Sequence, residues 1–272
     1  MLPLSWKINW ELFSRSEFYS PLVIVLGLGI TLALTSWKLR LGLLKRISIS
    51  SSRSLIQLLL MGSFLGVLIH ANHFRWNILM AILMSLFAVS TVRSRLLVKD
   101  RWTSLSLFIA LGTTTWPATY LLVELSQRGN LFDAINLLPL LGIVLGNTLN
   151  ALTLSLLNVQ KQFRQSSLEI ETKLGLGANW REASLRVIKD SMEMAVTPIL
   201  NNMAVVGIIG MPGLMVGQIL AGANPLQSAH FQYLLIMILF AVIFLSSLMG
   251  VYLQCYFQFQ ERGRFFGPVL SH

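Results

Sequence analysis

Residues 171–188 read Glu171-Thr-Lys-Leu-Gly175-Leu-Gly177-Ala-Asn179-Trp-Arg-Glu182-Ala-Ser-Leu-Arg186-Val-Ile188. They form the centre of a polar island that runs from about Lys161 to Glu193 in an otherwise apolar chain. Asn179 is placed to cap a helix starting at Trp180. Glu182, at the third helical position, can reach back to close a capping box. Opposite charges then recur four residues apart, Glu182 with Arg186, Arg186 with Asp190 and Lys189 with Glu193. Leu185, Ile188 and Met192 make an apolar stripe at helical spacing. Gly175 and Gly177 end a preceding helix that carries a further pair, Glu169 with Lys173. The island therefore predicts two short helices joined by a glycine turn. Such a hairpin is either a solvated connector or a handle for another protein.

Outside the island the chain reads as membrane. Of 272 residues, 54% are hydrophobic and 12% charged, and mean hydropathy is +0.68. A soluble domain carries about 25% charged residues. Crossing the hydrocarbon core takes about 20 apolar residues. Seven stretches approach that length, at 21–37, 55–70, 76–92, 103–123, 137–158, 194–210 and 231–257. The fourth contains Trp116-Pro117, where a kink is expected. Residues 1–20 carry Trp6, Trp10, Phe13, Phe18 and Tyr19 and read as an interfacial segment. The permease domain spans 21–260, with the hairpin at 161–193, and 261–272 form a tail. The first apolar run begins near Pro21 with no basic region before it, so no cleavable signal is expected.

The net charge of +10 arises from 21 Lys and Arg against 11 acidic residues. In a soluble chain this would suggest nucleic acid. Here the basic residues cluster in short loops, after span one (Lys38 to Arg53), span three (Arg93 to Arg101) and span five (Lys161 to Lys189), and in the tail (Arg262, Arg264). Only Lys7, Arg15, Arg75 and Arg128 fall on the opposite side. The positive-inside rule then places the N-terminus outside and the C-terminus in the cytoplasm. The prediction is an all-α polytopic membrane protein with a lipid bilayer and no nucleic acid as its medium and partner.

Several functions are excluded or demoted. A lone Cys255 forbids an intrachain disulfide, and no Cys/His spacing fits zinc. No Walker-type phosphate loop is present, so the chain is not expected to be an enzyme or to bind ATP and Mg itself. A secondary transporter driven by an ion gradient remains an alternative, although neither an internal repeat nor a buried acidic relay is visible. A membrane enzyme would need a polar catalytic group at the interface; His70 and His73 are a close pair without an evident partner.

The order of residues adds a resemblance. In ABC importer permeases a cytoplasmic signature runs Glu-Ala-Ala, three residues, Gly, about nine residues, then Ile-x-Leu-Pro. Glu171, Gly177 and Ile188 fall at similar positions. Thr172-Lys173 replace the alanines, and Asp190 stands near the expected proline. A closer likeness covers nearly the whole chain. It is carried by Ser52-Arg-Ser-Leu-Ile-Gln57-Leu, by Pro139-Leu-Leu-Gly-Ile-Val-Leu-Gly146-Asn147 and by Lys173-Leu-Gly-Leu-Gly-Ala178. The fourth segment is Gly210-Met-Pro212-Gly213-Leu-Met-Val-Gly217-Gln-Ile-Leu-Ala-Gly222-Ala-Asn-Pro225. The chain resembles the FetB-type permeases, an iron-export family that includes plant aluminium-tolerance permeases. The resemblance implies a permease subunit in a bacterial inner membrane, doubled and paired with two separate ABC ATPase subunits. Its cargo would be a metal ion or small polar solute, or alternatively an exported nucleotide sugar. Glu171, Gly175, Gly177, Ala178, Arg181, Glu182 and Ile188 would couple to the ATPase.

Polar groups inside the spans are candidates for the pathway. Arg53 and Gln57 open span two, where Arg53 either anchors at headgroups or faces the route. Asn147 and Asn150 lie in span five, Asn201 and Asn202 in span six. These amides are either interhelical glue or pathway lining. Small-x3-small pairs, Gly62/Gly66 and Gly142/Gly146, suit close helix packing. Met211, Pro212, Gly213, Met215 and Gly217 belong to the broken stretch 210–225, which is either a re-entrant element near an outer gate or a tight outer loop. Thioethers such as Met192, Met194 and Met203 would suit a soft metal, but Met also fills gaps. No metal ligand set is assigned.

Overall fold

A computed structural model describes residues 15–40, 42–71, 73–126, 130 and 132–260. The expected interfacial segment lies outside these up to residue 14, as do Arg128 and the tail 261–272. The described residues form nine helices in order: α1 (Arg15–Lys38), α2 (Leu44–Ala71), α3 (Phe74–Arg95), α4 (Arg101–Ser126), α5 (Ala134–Gln165), α6 (Ser167–Gly175), α7 (Trp180–Val205), α8 (Gly213–Leu220) and α9 (Pro225–Gln260). Among the described residues the protein is all-α, with no strand beyond one isolated bridge, Val206 to Gly210.

Among the described residues five helices, α2, α3, α4, α5 and α9, are long and apolar enough to cross a membrane. The expected first span corresponds to α1. The expected sixth differs. It does not begin as a separate helix at Met194 but continues the second helix of the hairpin, and α7 ends at Val205, not Gly210. Asp190 and Glu193 are thus built into one rod with Asn201 and Asn202, which is why α7 is less apolar than its neighbours. Gly207, at φ 86°, turns the chain just past its end.

The chain divides into two compact units, Met1–Gly66 and Val67–His272. The first holds α1 and most of α2, joined by a turn with Arg40 and Gly42 at positive φ. In the second, α5 is the central rod, packed against α3, α4, α7 and α9. Its 32 residues measure about 48 Å, longer than the hydrocarbon core is thick. One core cluster joins Leu122 and Val123 of α4, Leu140 and Val144 of α5, and Leu235, Leu239 and Val242 of α9, with Leu214 of α8 against it. A second joins Ala151, Ala195, Ile199 and Ile243. In lipid such clusters hold by close packing, since tails are as apolar as leucine. Close approach is tightest at Gly250, where an added Cβ would stand 2.8 Å from Leu152 Cδ2. Of the expected glycine pairs, Gly142 faces Met84 at ordinary contact distance, while Gly146, Gly62 and Gly66 have open space.

Pro117 sits inside a continuous α4. Around it, Thr113, Thr114, Thr115 and Thr119 each donate a hydroxyl hydrogen bond to the carbonyl four residues back. Hydroxyls satisfied by their own helix make no demand on lipid.

Candidate functional site: a charged hairpin and the groove above it

The hairpin forms as its residues dictate. Lys173 donates to Glu169 at 2.7 Å, and the α6 chain then reverses at Gly177, whose φ of 92° is left-handed. Gly177 N–H donates to Leu174 O and Ala178 N–H to Lys173 O, both at 3.0 Å. This is a Schellman closure. Asn179 Oδ1 then accepts from the N–H groups of Arg181 and Glu182, while Glu182 Oε2 accepts from Asn179 N–H at 2.8 Å. The expected capping box is complete, and Glu182 is engaged there and not with Arg186. Arg186 instead bridges the two helices, 3.7 Å from Glu169, and lies 4.0 Å from Asp190. The Lys189–Glu193 pair is not formed. The Lys173 hydrogen bond and charge, with help from Arg186, hold the Glu169 carboxyl below its ordinary value. The pairing is therefore complete above that value and is lost as pH falls through the lowered one.

The face that α7 buries also differs from expectation. Leu185 is half exposed, and Ile188 and Met192 are half-buried. The buried positions are Ala183, Ser184, Val187, Ser191, Ala195 and Ile199. Small side chains let α7 lie close to α5 and α9, and leucine is too large for that seam. Trp180 anchors the start of α7 against the end of α9, meeting Tyr252 and Tyr256 edge-on at 5.2 and 5.7 Å. The Arg181 guanidinium lies over the Trp180 and Tyr252 rings. Of the proposed coupling residues, Glu171, Gly175, Gly177, Arg181 and Glu182 are exposed, and Ala178 and Ile188 are half-buried.

A residue the sequence reading did not single out, Gln160, ties a second loop to this end. Its Oε1 accepts from the N–H groups of Leu97 and Val98 at 2.8 and 3.1 Å, and its Nε2 donates to Val98 O. The amide replaces a strand partner for a loop that has none. The basic α3–α4 loop, with Arg93, Arg95, Lys99 and Arg101, therefore shares one end of the second unit with Lys161, Arg164, Lys173 and Arg181. Trp102 stacks on Phe257 at that same end.

Above the hairpin, α5 and α7 border a cleft of about 480 Å³. It is lined from α5 by Leu154, Asn158 and Gln162, and from α7 by Asp190, Glu193, Met194, Thr197 and Pro198. Gln162 Nε2 donates to Asp190 Oδ2 at 2.9 Å and Asn158 Nδ2 to Ser191 Oγ at 3.1 Å. The sequence reading gives Asp190 an ion pair with Arg186 and a place near the signature's expected proline, and gives Asn158 no role. Amides recurring at 147, 150, 158 and 162 on one helical face were the signal available. Asn147 and Asn150 lie farther along α5, and Asn201 and Asn202 along α7. All four are exposed. Asn147 Nδ2 bonds its own helix at Ile143 O, and Asn150 Oδ1 accepts from Arg95.

The remaining candidates lie on other elements. Arg53 and Gln57 are exposed on α2, in the first unit. Met211 is exposed, Pro212 caps α8, and Gly213, Met215 and Gly217 lie in that helix. The stretch 210–225 is thus a short helix between turns, broken as expected. No group of three or more His, Cys, Asp or Glu able to hold a metal occurs among the described residues.

No solved structure matches the chain. A UPF0014 membrane protein of Synechocystis sp. is 30% identical over 240 residues, 86% of this chain and 92% of that protein. Probable iron export permease protein FetB of Escherichia coli is 29% identical over 235 residues, covering 85% and 88%. Protein ALUMINUM SENSITIVE 3 of Arabidopsis thaliana is 29% identical over 206 residues, covering 75% and 74%. The model of the uncharacterised protein family UPF0014 matches residues 19–259, and with its apolar helices the chain is an integral membrane protein belonging to that family.

Proposed function

We propose that this chain is the membrane-spanning permease subunit of an ABC transporter in a bacterial inner membrane, with ATP and Mg held by a separate ATPase. The observation that carries the reading is the α6–α7 hairpin. It is capped, cross-braced by Arg186 and exposed, and its second helix runs without a break into the bundle. A push on such a handle moves a rod and does not merely bend a loop. Clustering of the basic loops at the hairpin end supports a cytoplasmic placement of that end. With α1 and α7 counted, the chain has seven spans and an outside N-terminus. Two copies work with two ATPase subunits, and nucleotide biases the assembly between two states.

The cargo proposed is a metal ion or small polar solute, supported by the name of the Escherichia coli relative. The test is twofold. A Walker-motif ATPase co-purifies with the full-length chain, and proteoliposomes holding both show ATP-dependent flux of iron. Flux of UDP-glucose and not iron would move the cargo to nucleotide sugars. Flux by the purified chain alone, driven by an ion gradient, would overturn the reading.

A further inference from the structure

In the first unit the hydroxyls of Thr31, Thr35, Ser48, Ser54 and Ser63 each donate to a backbone carbonyl three or four residues back in their own helix. Such hydroxyls need no outside partner. Ser36 differs. It is 4% exposed, and its Oγ is buried with no hydrogen-bond partner. A buried hydroxyl in that state is costly until something meets it. Ser36 lines a cavity of about 560 Å³ together with Trp37, Lys38, Arg40, Gly42 and Leu44, where α1 ends and α2 begins. Lys38 and Arg40 are exposed. Arg40 stands at φ 49° and is the one non-glycine residue at positive φ among the described residues.

Charge points to the same place. Lys38, Arg40, Lys45, Arg46 and Arg53 lie between Trp37 and Ser54, and no Asp or Glu occurs from Phe18 to Lys99. Among the described residues none of the five makes an ion pair. The first turn of α2 holds no acidic residue but carries Lys45 and Arg46. A helix start is already the positive end of its dipole, so two cations there are unfavourable until an anion offsets them. Ile47 N–H makes the first helical bond of α2, to Leu43 O at 2.9 Å, and the N–H groups before it are the usual anion donors of a helix start.

We propose that this cavity binds the phosphate headgroup of an anionic lipid. Ser36 Oγ donates to a phosphate oxygen, Lys38 and Arg40 supply the countercharge, and the start of α2 faces the same anion. Three features select a lipid over a free phosphate. Trp37 is 74% exposed beside the cavity, and an exposed indole suits headgroup depth. Leu34, Leu39 and Leu43 are exposed around the turn and offer acyl chains an apolar surface. The basic bias sets this turn on the cytoplasmic side, where the leaflet has a negative surface potential. Such a site seats the α1–α2 turn in the headgroups, whatever the cargo or the motor.

The test uses the full-length chain in neutral detergent, with native mass spectrometry to count bound lipid and melting curves to read stability. The probes are phosphatidylglycerol, phosphatidylcholine, which has the phosphate but no net charge, and inorganic phosphate. The chain is expected to retain phosphatidylglycerol about ten-fold better than phosphatidylcholine and to melt higher with it. Lys38→Gln combined with Arg40→Gln should weaken that retention about ten-fold. Lys99→Gln combined with Arg101→Gln, the same charge lost from the α3–α4 loop, should leave it unchanged. Ser36→Ala should weaken retention about five-fold yet melt no lower than the unaltered chain without lipid, because the lost hydroxyl has no partner there. A purely structural Ser36 would lower the lipid-free melting temperature and spare retention. If the Lys38/Arg40 variant fails to insert, the Ser36 variant carries the test. Equal retention in all variants, equal loss in the two double variants, or no preference for phosphatidylglycerol would overturn the site. Inorganic phosphate that stabilises the chain and displaces the lipid would assign the cavity to a free anion and overturn the lipid.

Discussion

The tripeptide Gly-Ala-Asn occurs at two turns, one before α7 and one before α9, and it does the same local work at each. Gly177-Ala178-Asn179 closes α6 and opens α7; Gly222-Ala223-Asn224 closes α8 and opens α9. Gly222, at φ 88°, donates to Ile219 O, and Ala223 donates to Gln218 O, repeating the closure around Gly177. Asn224 Oδ1 then accepts from Leu226 N–H at 2.9 Å, as Asn179 does from its own helix. The surroundings differ completely. Around Gly177 stand Glu169, Lys173, Arg186 and a capping box. The Gly222 turn has no charged residue beside it in sequence; Leu220 before it is exposed, as are Ile208, Ile209 and Met211 ahead of α8. A turn is thus set by three residues, while its role is set by the side chains around it.

The sharpest way to break that comparison is to strain both turns alike. Gly177→Val and Gly222→Val each force a branched residue into left-handed backbone, at a cost of about 1–2 kcal/mol. Neither site has a neighbour within 4 Å that would add a clash. The two variants should therefore lose similar thermal stability in detergent. They should not lose transport alike. Gly177→Val is expected to lower ATP-driven flux about ten-fold, a coupling loss of common size, with ATP hydrolysis by the partner retained. Gly222→Val should keep most of its flux. Equal flux losses would mean that the hairpin is only a connector.

A second variant asks how firmly the hairpin end is tied together. Gln160→Ala leaves the N–H groups of Leu97 and Val98 without their acceptor, worth about 1–3 kcal/mol when buried. Amide exchange should quicken at Leu97 and Val98 and stay unchanged around Gly222. Unchanged exchange at the α3–α4 loop would show that the loop is held by other contacts.

What the sequence disclosed follows from the same contrast. The hairpin was legible because water, charge and capping leave local marks: Asn179 and Glu182 lie three residues apart, and Glu169 and Lys173 four. The helices of the bundle were legible because apolar length is a local property. The orientation of each helix was not. Leu185, Ile188 and Met192 have the spacing of a buried stripe, yet α7 buries Ala183, Val187 and Ser191, because small residues fit the seam with α5 and α9. Nothing near residue 185 in sequence announces a neighbour at Tyr252. Gln160 was missed for the same reason, its partners lying more than 60 residues away. Asp190 and Glu193 read as surface charges until α5 was set beside α7.

The mildest test removes each capping side chain. Asn179→Ala deletes an acceptor serving two N–H groups and half of a reciprocal box. Asn224→Ala deletes one bond. The start of α9 also has fewer donors to satisfy, because Pro225 has no N–H and its ring presets a helical φ. A lost cap costs about 1 kcal/mol. The Asn179 variant is therefore expected to lower the melting temperature more than the Asn224 variant, with fraying visible as faster amide exchange at Arg181 and Glu182. A larger loss at Asn224 would mean that the apolar turn, and not the polar one, depends more on its side-chain cap, and that proline does not relieve the start of α9 as argued.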